Sequence, residues 1–505
     1  MKFLKPSIAT LFNLLFLLGA TQSQSLSFKV HEWGTFTSLC GSDGSRLNGL
    51  YKEEEKLPDF TYSIGSDNSF GNYYYNIVGR FPNLSLEDDG KGVGNVELSN
   101  VNVKMETPVL YFYSNDSFLV DAKVMFTHGL ITQYFPNASL TFPSSIQNWG
   151  NIDFSDPATT NSIRWNAKVH SSVSAQLAKK QGETNTWTAP RATDANLVQV
   201  GGKYEKFLFY RGVGNFDLPV KTYFDEKANL VVQNNYPDKI PYFFVYDKEE
   251  NGDTKVWFTG AIEAKESKTI QVSSVVLSPD AFNAKLAEFQ VALTSAGLFD
   301  KESAAMLNTW KTSYFGKPGL RVFWIVPRKF TDDLLPLTLT PTAEDIQRVL
   351  IGRSEIMTPV QEKQMYDAYK RDKKLSLFFT DRFIEAYKER MAYLDNNPSS
   401  LQAVFNKAIA SVSTSRAINV SGMETVIIYP NPTQSNLSIA IQHVSNGNVS
   451  VSISDITGRN IIQFSEMPGN SFYQKDLNLA QLAAGMYLVN VQTATKKYVF
   501  RVVKE

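Results

Sequence analysis

The chain has one cysteine, Cys40, among its 505 residues. That excludes an intrachain disulfide and a zinc finger. It has no excess of charge, with Lys+Arg and Asp+Glu at 50 each. The bulk electrostatic signature of a nucleic-acid or anionic-membrane binder is therefore missing. After the first twenty residues no apolar run approaches the ~18 residues that would span a bilayer. The phosphate-cradling Gly-x-x-x-x-Gly-Lys, the Gly-x-Ser-x-Gly elbow, His-Glu-x-x-His and the calcium loop are all absent. Tyr210-Arg211-Gly212-Val213-Gly214 offers only two glycines, too few for a nucleotide-binding turn. Apolar residues, by contrast, make up 43% and aromatics 13%, with 34 Phe and 23 Tyr. This is a globular composition biased toward pleated, half-buried surfaces, and the length suggests two to four domains.

The N-terminus reads as an address. Lys2 and Lys5 precede an apolar stretch from Ile8 to Ala20, followed by the small, polar Thr21-Gln22-Ser23. As a helix that stretch rises only ~20 Å, short of the ~30 Å hydrocarbon core. The pattern is that of a cleaved secretory signal peptide over residues 1–24, the alternative being a buried N-terminal helix. Cleavage removes two lysines and leaves 48 basic against 50 acidic side chains. In an oxidising compartment, a chain without cross-links must be stabilised by core burial. Cys40 is expected to be a small buried packing residue rather than a reactive thiol.

The C-terminus changes texture. Residues 411–423 are small and polar, a linker. Val426-Ile-Ile-Tyr429 then meets Pro430-Asn431-Pro432. Leu437, Ile439 and Ile441 alternate at strand period, as do Val449, Val451 and Ile453. Asp455 to Arg459 reads as a turn around Gly458. The stretches Gly485-Met-Tyr487-Leu-Val and Tyr498 to Val503 complete a set of short strands. Together they predict a small antiparallel β-sandwich over residues 424–505, with a carbohydrate-binding or immunoglobulin-like accessory module as the alternative identity. In order, Tyr429-Pro430-Asn431-Pro432, Gly458-Arg459, Gly485 to Tyr487 and the basic last strand resemble the C-terminal sorting domain of type IX secretion substrates. The resemblance implies export through an outer-membrane translocon of the Bacteroidetes phylum. It also implies removal of the domain, and a passenger that is released or attached to surface lipopolysaccharide.

Between the two addresses, residues 25–280 are β-rich in pattern. Lys104 to Tyr113, Lys206 to Tyr210, Leu230 to Gln233, Tyr242 to Tyr246 and Thr269 to Leu277 are strand-like runs. Asn251-Gly252 marks a hairpin between Tyr246 and Lys255. Residues 281–410 are expected to be a mixed helical region packed on that body. Helical period holds from Asp280 to Gly297, with further helices at Ser303 to Trp310 and Phe383 to Tyr393. Thr342-Ala-Glu-Asp345 resembles a helix start, and Arg321 to Val326 a buried strand. The fold class is thus mainly β with a helical segment (α+β).

The body's chemistry is sparsely signalled. His31, His128 and His170 are its only histidines. His31 and Glu32 adjoin on a strand, so they point to opposite faces and cannot both ligate one ion. His31 and His128 are metal candidates, and Glu32 and Glu106 catalytic candidates, because two imidazoles and a carboxylate can hold a metal. Hydrogen-bonded structural histidines are the alternative. Glu32, Asp43, Glu106, Asp194 and Glu205 supply carboxylates for a glycosidase pair. Trp33, Trp149, Trp165, Trp187 and Trp257 supply rings for sugar stacking or for packing. Arg191 and Arg211 are candidates for carboxylate or sulfate recognition. The pieces at 31–44 (HEWGTFTSLCGSDG), 104–113, 129–136, 205–216 and 321–328 resemble an uncharacterised family of secreted bacterial proteins. That resemblance implies one extended body and no mechanism. The expectation is a secreted or cell-surface protein whose body is a binding or structural module, the alternative being an extracellular hydrolase of glycans or peptides. No cofactor can be named.

Overall fold

The computed structural model describes residues 26–63, 100–142, 159–171, 183–414 and 425–504, with short gaps inside these spans. The expected leader at 1–24, the Pro-Asn-Pro at 430–432 and Trp149 lie outside the described residues. Strand accounts for 45% and helix for 22%, so the protein is β-rich. No helix among the described residues is long and apolar enough to cross a membrane.

In chain order the principal body strands are β1 (Phe28–Cys40), β2 (Val103–Ser114), β3 (Phe118–Thr127), β4 (Gly129–Phe135), β5 (Thr160–Val169), β6 (Leu208–Gly214), β7 (Val220–Phe224), β8 (Leu230–Asn234), β9 (Ile240–Lys248), β10 (Thr254–Ile262), β11 (Ser267–Ile270), β12 (Gly319–Ile325), β13 (Leu337–Thr340) and β14 (Asp345–Ile356). The helices are α1 (Pro279–Ser295), α2 (Asp300–Thr309), α3 (Arg328–Leu334), α4 (Pro359–Arg371), α5 (Ile384–Asn396) and α6 (Pro398–Thr414). One 15-stranded sheet carries the order β10-β9-β12-β14-β1-β2-β6-β4-β5-β3-β13, while β7, β8 and β11 form a separate three-stranded sheet.

β1 occupies the middle of the large sheet. It pairs parallel with β14 from Lys29↔Asp345 to Cys40↔Ile356, and antiparallel with β2. Almost every residue of β1 is buried, because both faces are covered and alternate side chains enter different cores. Val30 and Phe36 join one apolar cluster, and Trp33 joins another, in which Phe289 and Leu293 of α1 and Met306 and Leu307 of α2 pack on strand residues such as Val109, Phe244 and Phe323. The first cluster also takes Ile240 and Ile262 from one end of the sheet and Val124 and Leu339 from the other. The sheet therefore wraps around it, as open sheets beyond about ten strands do by curling. Close strand contact depends on Gly212 in β6, where an added Cβ would sit 2.0 Å from the Leu130 carbonyl oxygen.

The division expected at residue 280 is not respected by this sheet. β12 and β14, from the second segment, lie at its centre against β9 and β1. The helix start read at Thr342 to Asp345 is instead the entry to β14, where Val349, Leu350 and Ile351 are buried and paired with β1, and Ile351 pairs with Ile325 of β12 as well. Thr269 to Leu277 shortens to β11, and α6 extends through Ser411 into the expected linker. The hairpin between β9 and β10 turns at Gly252, whose φ of +93° is the left-handed conformation that glycine accepts freely.

The C-terminal strands are β15 (Thr425–Tyr429), β16 (Asn436–Gln442), β17 (Val449–Asp455), β18 (Asn460–Glu466), β19 (Phe472–Asn478), β20 (Gly485–Gln492) and β21 (Lys497–Lys504). They form two antiparallel sheets, β15-β16-β19 and β18-β17-β20-β21. A single apolar cluster holds Leu437, Ile439, Val449, Val451, Ile453 and Val489, the inward residues of strands from both sheets. In the β17–β18 turn, Gly458 has φ +86°, and the Asp455 carboxylate accepts from the backbone N–H groups of Thr457 and Arg459 at 3.0 and 3.1 Å. Tyr487 is buried and donates its hydroxyl to the Ala483 carbonyl at 2.7 Å.

Candidate functional site

The His31-Glu32-Trp33-Gly34 segment of β1 is locked to elements far along the chain. His31 Nδ1 lies 2.7 Å from Glu302 Oε2 at the start of α2. The same carboxylate accepts from the Tyr113 hydroxyl and the Phe299 N–H, both at 2.7 Å. The His31 ring packs 4.3 Å from that of Phe299. Glu32 points to the other face, where its carboxylate accepts from Arg348 of β14 and from the Tyr210 hydroxyl of β6. Arg348 also donates to Asp332 at 2.9 Å and to the Leu335 carbonyl at 2.7 Å. Burial alone would lower the Arg348 pKa, but Glu32 and Tyr210 outweigh it and hold the guanidinium charged. Burial, and then Glu32, raise the Tyr210 phenol well above its usual range. Gly34 completes the segment: a Cβ there would come within 2.9 Å of Pro108 Cα.

Glu106 sits opposite Thr35 on β2, inside a second buried ionic group. Arg211 Nη1 is 3.8 Å from Glu106 Oε2, and Arg211 Nε donates to Gln133. Glu54 accepts from Arg353 at 2.9 Å and lies 3.3 Å from Lys104 Nζ. Glu355 joins Arg353 at 2.7 Å to Arg321 at 2.6 Å, and Arg353 stacks over the Tyr314 ring at 3.9 Å. Glu54, Glu106, Arg211, Trp310 and Tyr314 line a cavity of about 20 Å³. Thr107, next to Glu106, has φ +48°, a left-handed conformation that is costly for a β-branched residue. Its hydroxyl and the Trp310 indole N–H are buried without hydrogen-bond partners among the described residues. The cavity admits about one water molecule. Two carboxylates held by fixed cations around a water-sized space cannot embrace a sugar ring.

The other expected residues are scattered. His128 has φ +58° at the β3–β4 junction, and its carbonyl accepts from Asn215 N–H at 3.1 Å. His31 pairs with Tyr111, while Gly129 pairs with Gly214 and that in turn with Val103. The stretch of β2 from Tyr111 to Val103, at ~3.3 Å per residue, puts the two histidine rows roughly 25 Å apart. Two nitrogens on one metal lie within about 4 Å. The shared site on His31, His128 and Glu106 is therefore corrected: strand register separates its members. Among the described residues, no three His, Cys, Asp or Glu side chains are grouped to hold a metal.

The carboxylates also fail to pair with one another. Asp43 is held by Arg390 at 2.9 Å, Asp194 by Lys301 at 2.6 Å, and Glu205 by Arg191 at 2.7 Å. Arg191 spans Glu183 and Glu205, an internal role in place of ligand recognition. Trp33, Trp165 and Trp187 are fully buried. Trp165 donates to the Pro136 carbonyl at 3.0 Å and Trp187 to Glu205 at 3.2 Å, so these rings pack rather than stack on sugars. Glu54, Glu302, Arg348, Arg353 and Glu355 were not among the sequence candidates. The available signal was a charge inside an apolar strand run, as at Arg353 and Glu355 in β14.

Residues 427–505 match a family model described as the secretion system C-terminal sorting domain. No curated protein matches the sequence. Among solved structures, dimeric latent PorU from Porphyromonas gingivalis aligns at 9% identity over 79% of this chain and 31% of its own, with a TM-score of 0.15. The chain thus spans about a third of that protein's length. MHC-like MILL2 aligns at 10% identity over 52% of this chain and 98% of its own, at TM-score 0.13. A tetra-tandem repeat from the extending region of a large adhesion protein aligns at 10% over 80% and 70%, at TM-score 0.15. Similarity at these scores assigns no fold.

Proposed function

We propose that this protein is cargo of a type IX secretion route, and that its body acts beyond the outer membrane as a binding or structural module. The observation that carries the reading is the sorting-domain match at 427–505. The separate apolar core of that segment supports it, since a signal with its own core can be read whatever the passenger does. We read its two sheets as the faces of an antiparallel β-sandwich and residues 1–24 as the leader into the periplasm. The translocon is then the partner, and removal of residues 424–505 precedes release or attachment to lipopolysaccharide.

For the body, support comes from where its polar residues are committed. His31, Glu32, Glu106 and Glu205 are all buried against partners of the fold. In this reading the HEWGTFT segment is a packing motif, and the carboxylates a hydrolase would need are, among the described sequence candidates, each tied to a cation, hydroxyl or amide of the fold. Deleting residues 424–505 in a host with the type IX route tests the export half. The truncated body should accumulate, folded, in the periplasm. Normal yield in the medium or on the cell surface would overturn the assignment.

A further inference from the structure

We infer that the groove between α1 and α2 binds a small amphipathic carboxylate, a long-chain or aromatic acid held by its apolar body and its anionic head. The inference rests on the reading of the body as a binding module and gives that module a ligand class. The groove has a volume of about 430 Å³, within the range of about 300–1,000 Å³ typical of pockets for small organic ligands. Its floor is Phe282, Leu286, Leu307 and Phe315, the outer skin of the aromatic core beneath the helices. An apolar body is therefore the part of a ligand that it would desolvate.

The polar lining selects the head group. Asn283, Gln290 and Asn308 line the groove, and their side chains make no hydrogen bond among the described residues. Lys311 is the one charged lining residue, and it has no carboxylate partner among the described residues. A cationic head would face Lys311 with no acid lining the groove to offset it. The carbonyl of Asn308 is already taken by the Lys311 N–H and the Asn185 amide, so the end of α2 offers it little. An anionic head meets an ammonium and amide donors, the stronger class of hydrogen bond.

The test is calorimetric titration of the purified full chain with dodecanoate and, separately, dodecyltrimethylammonium, both as monomers. Dodecanoate should saturate at one molecule per chain, and the cation should neither bind nor compete. Lys311→Gln should weaken dodecanoate about tenfold, the order expected for one lost charge-assisted hydrogen bond. Ala287 is exposed and lines the groove, so Ala287→Trp should abolish binding at an unchanged melting temperature. Equal binding of both head groups, binding untouched by Ala287→Trp, or no saturable uptake would each overturn the inference. None of these results bears on export, which the deletion of residues 424–505 tests separately.

Discussion

Arg348→Met should be among the most damaging single changes in the body. The guanidinium is buried and donates to Glu32, Asp332 and the Leu335 carbonyl. Removing it leaves Glu32, with no exposure to solvent, facing the Tyr210 hydroxyl alone. Breaking a buried pair by deleting one partner costs about 3–5 kcal/mol, because the remaining charge is uncompensated. For a body larger than 200 residues, each kcal/mol shifts the melting temperature by about 2 °C, so a fall of roughly 6–10 °C is expected. Tryptophan fluorescence is a clean probe, since all seven tryptophans precede residue 325 and the sorting domain contributes none. Glu32→Leu together with Arg348→Met and Tyr210→Phe removes every fully buried charge and hydroxyl of the group and leaves only Asp332, whose side chain reaches solvent. This triple variant should return to within about 1–2 kcal/mol of the parent, as apolar replacements of buried pairs do. A cost below about 1 kcal/mol for Arg348→Met alone would refute the reasoning. So would a triple variant that is no better than the single.

Two further outcomes follow from titration and thiol chemistry. Asp247 on β9 has its pKa raised to about 6, chiefly by burial, with Lys255 opposing the shift and Glu249 adding to it. Between about pH 4 and 6 the unfolded chain releases this proton before the native state does. Stability should therefore fall as pH rises through that window, and the penalty is fully present above it. Because Asp247 is only partly buried, the effect is about 1–2 kcal/mol; Asp247→Asn should remove the slope in chemical-denaturation curves taken across those pH values. Burial raises the Cys40 thiol, so iodoacetamide should label it slowly in the native protein and readily in denaturant, read by mass spectrometry. Cys40→Ser should cost only about 1–2 kcal/mol.

What could be read from sequence was what neighbouring residues encode. The apolar and aromatic run in Lys104 to Tyr113, the Asn-Gly hairpin and the helical period through Phe282, Leu286, Phe289 and Leu293 are local patterns, and each has its counterpart in β2, β9–β10 and α1. A missed helix, α4, also carried a local signal. Thr358 and Gln361 exchange backbone-to-side-chain hydrogen bonds at 3.1 and 3.2 Å, a capping box with Pro359 at the first helical position. β14 was different. Its partner β1 lies some 300 residues away, and a parallel pairing at that separation leaves no local trace. The site followed the same rule. His31, Glu32 and Glu106 stood out as polar residues in strand-like runs, but Glu302, Arg348, Arg353 and Glu355 become visible only when the sheet brings them in.

This distribution of contacts bears on how an exported chain without disulfides becomes stable. The central strand β1 gains its second neighbour only when β14 arrives, and its two polar anchors, His31 and Glu32, reach Glu302 and Arg348. The body's core therefore closes late in the chain, after nearly all of it is available, which is the slow, non-local mode of folding. The C-terminal sheets obey the opposite rule. Every strand from β15 to β21 pairs within residues 425–504, and their apolar cluster draws only on that range. A recognition element with local contacts and its own core folds independently of a passenger whose centre depends on distant strands. That independence suits a sorting segment, because a unit whose strands and core are its own makes no demand on the chemistry of the body before it.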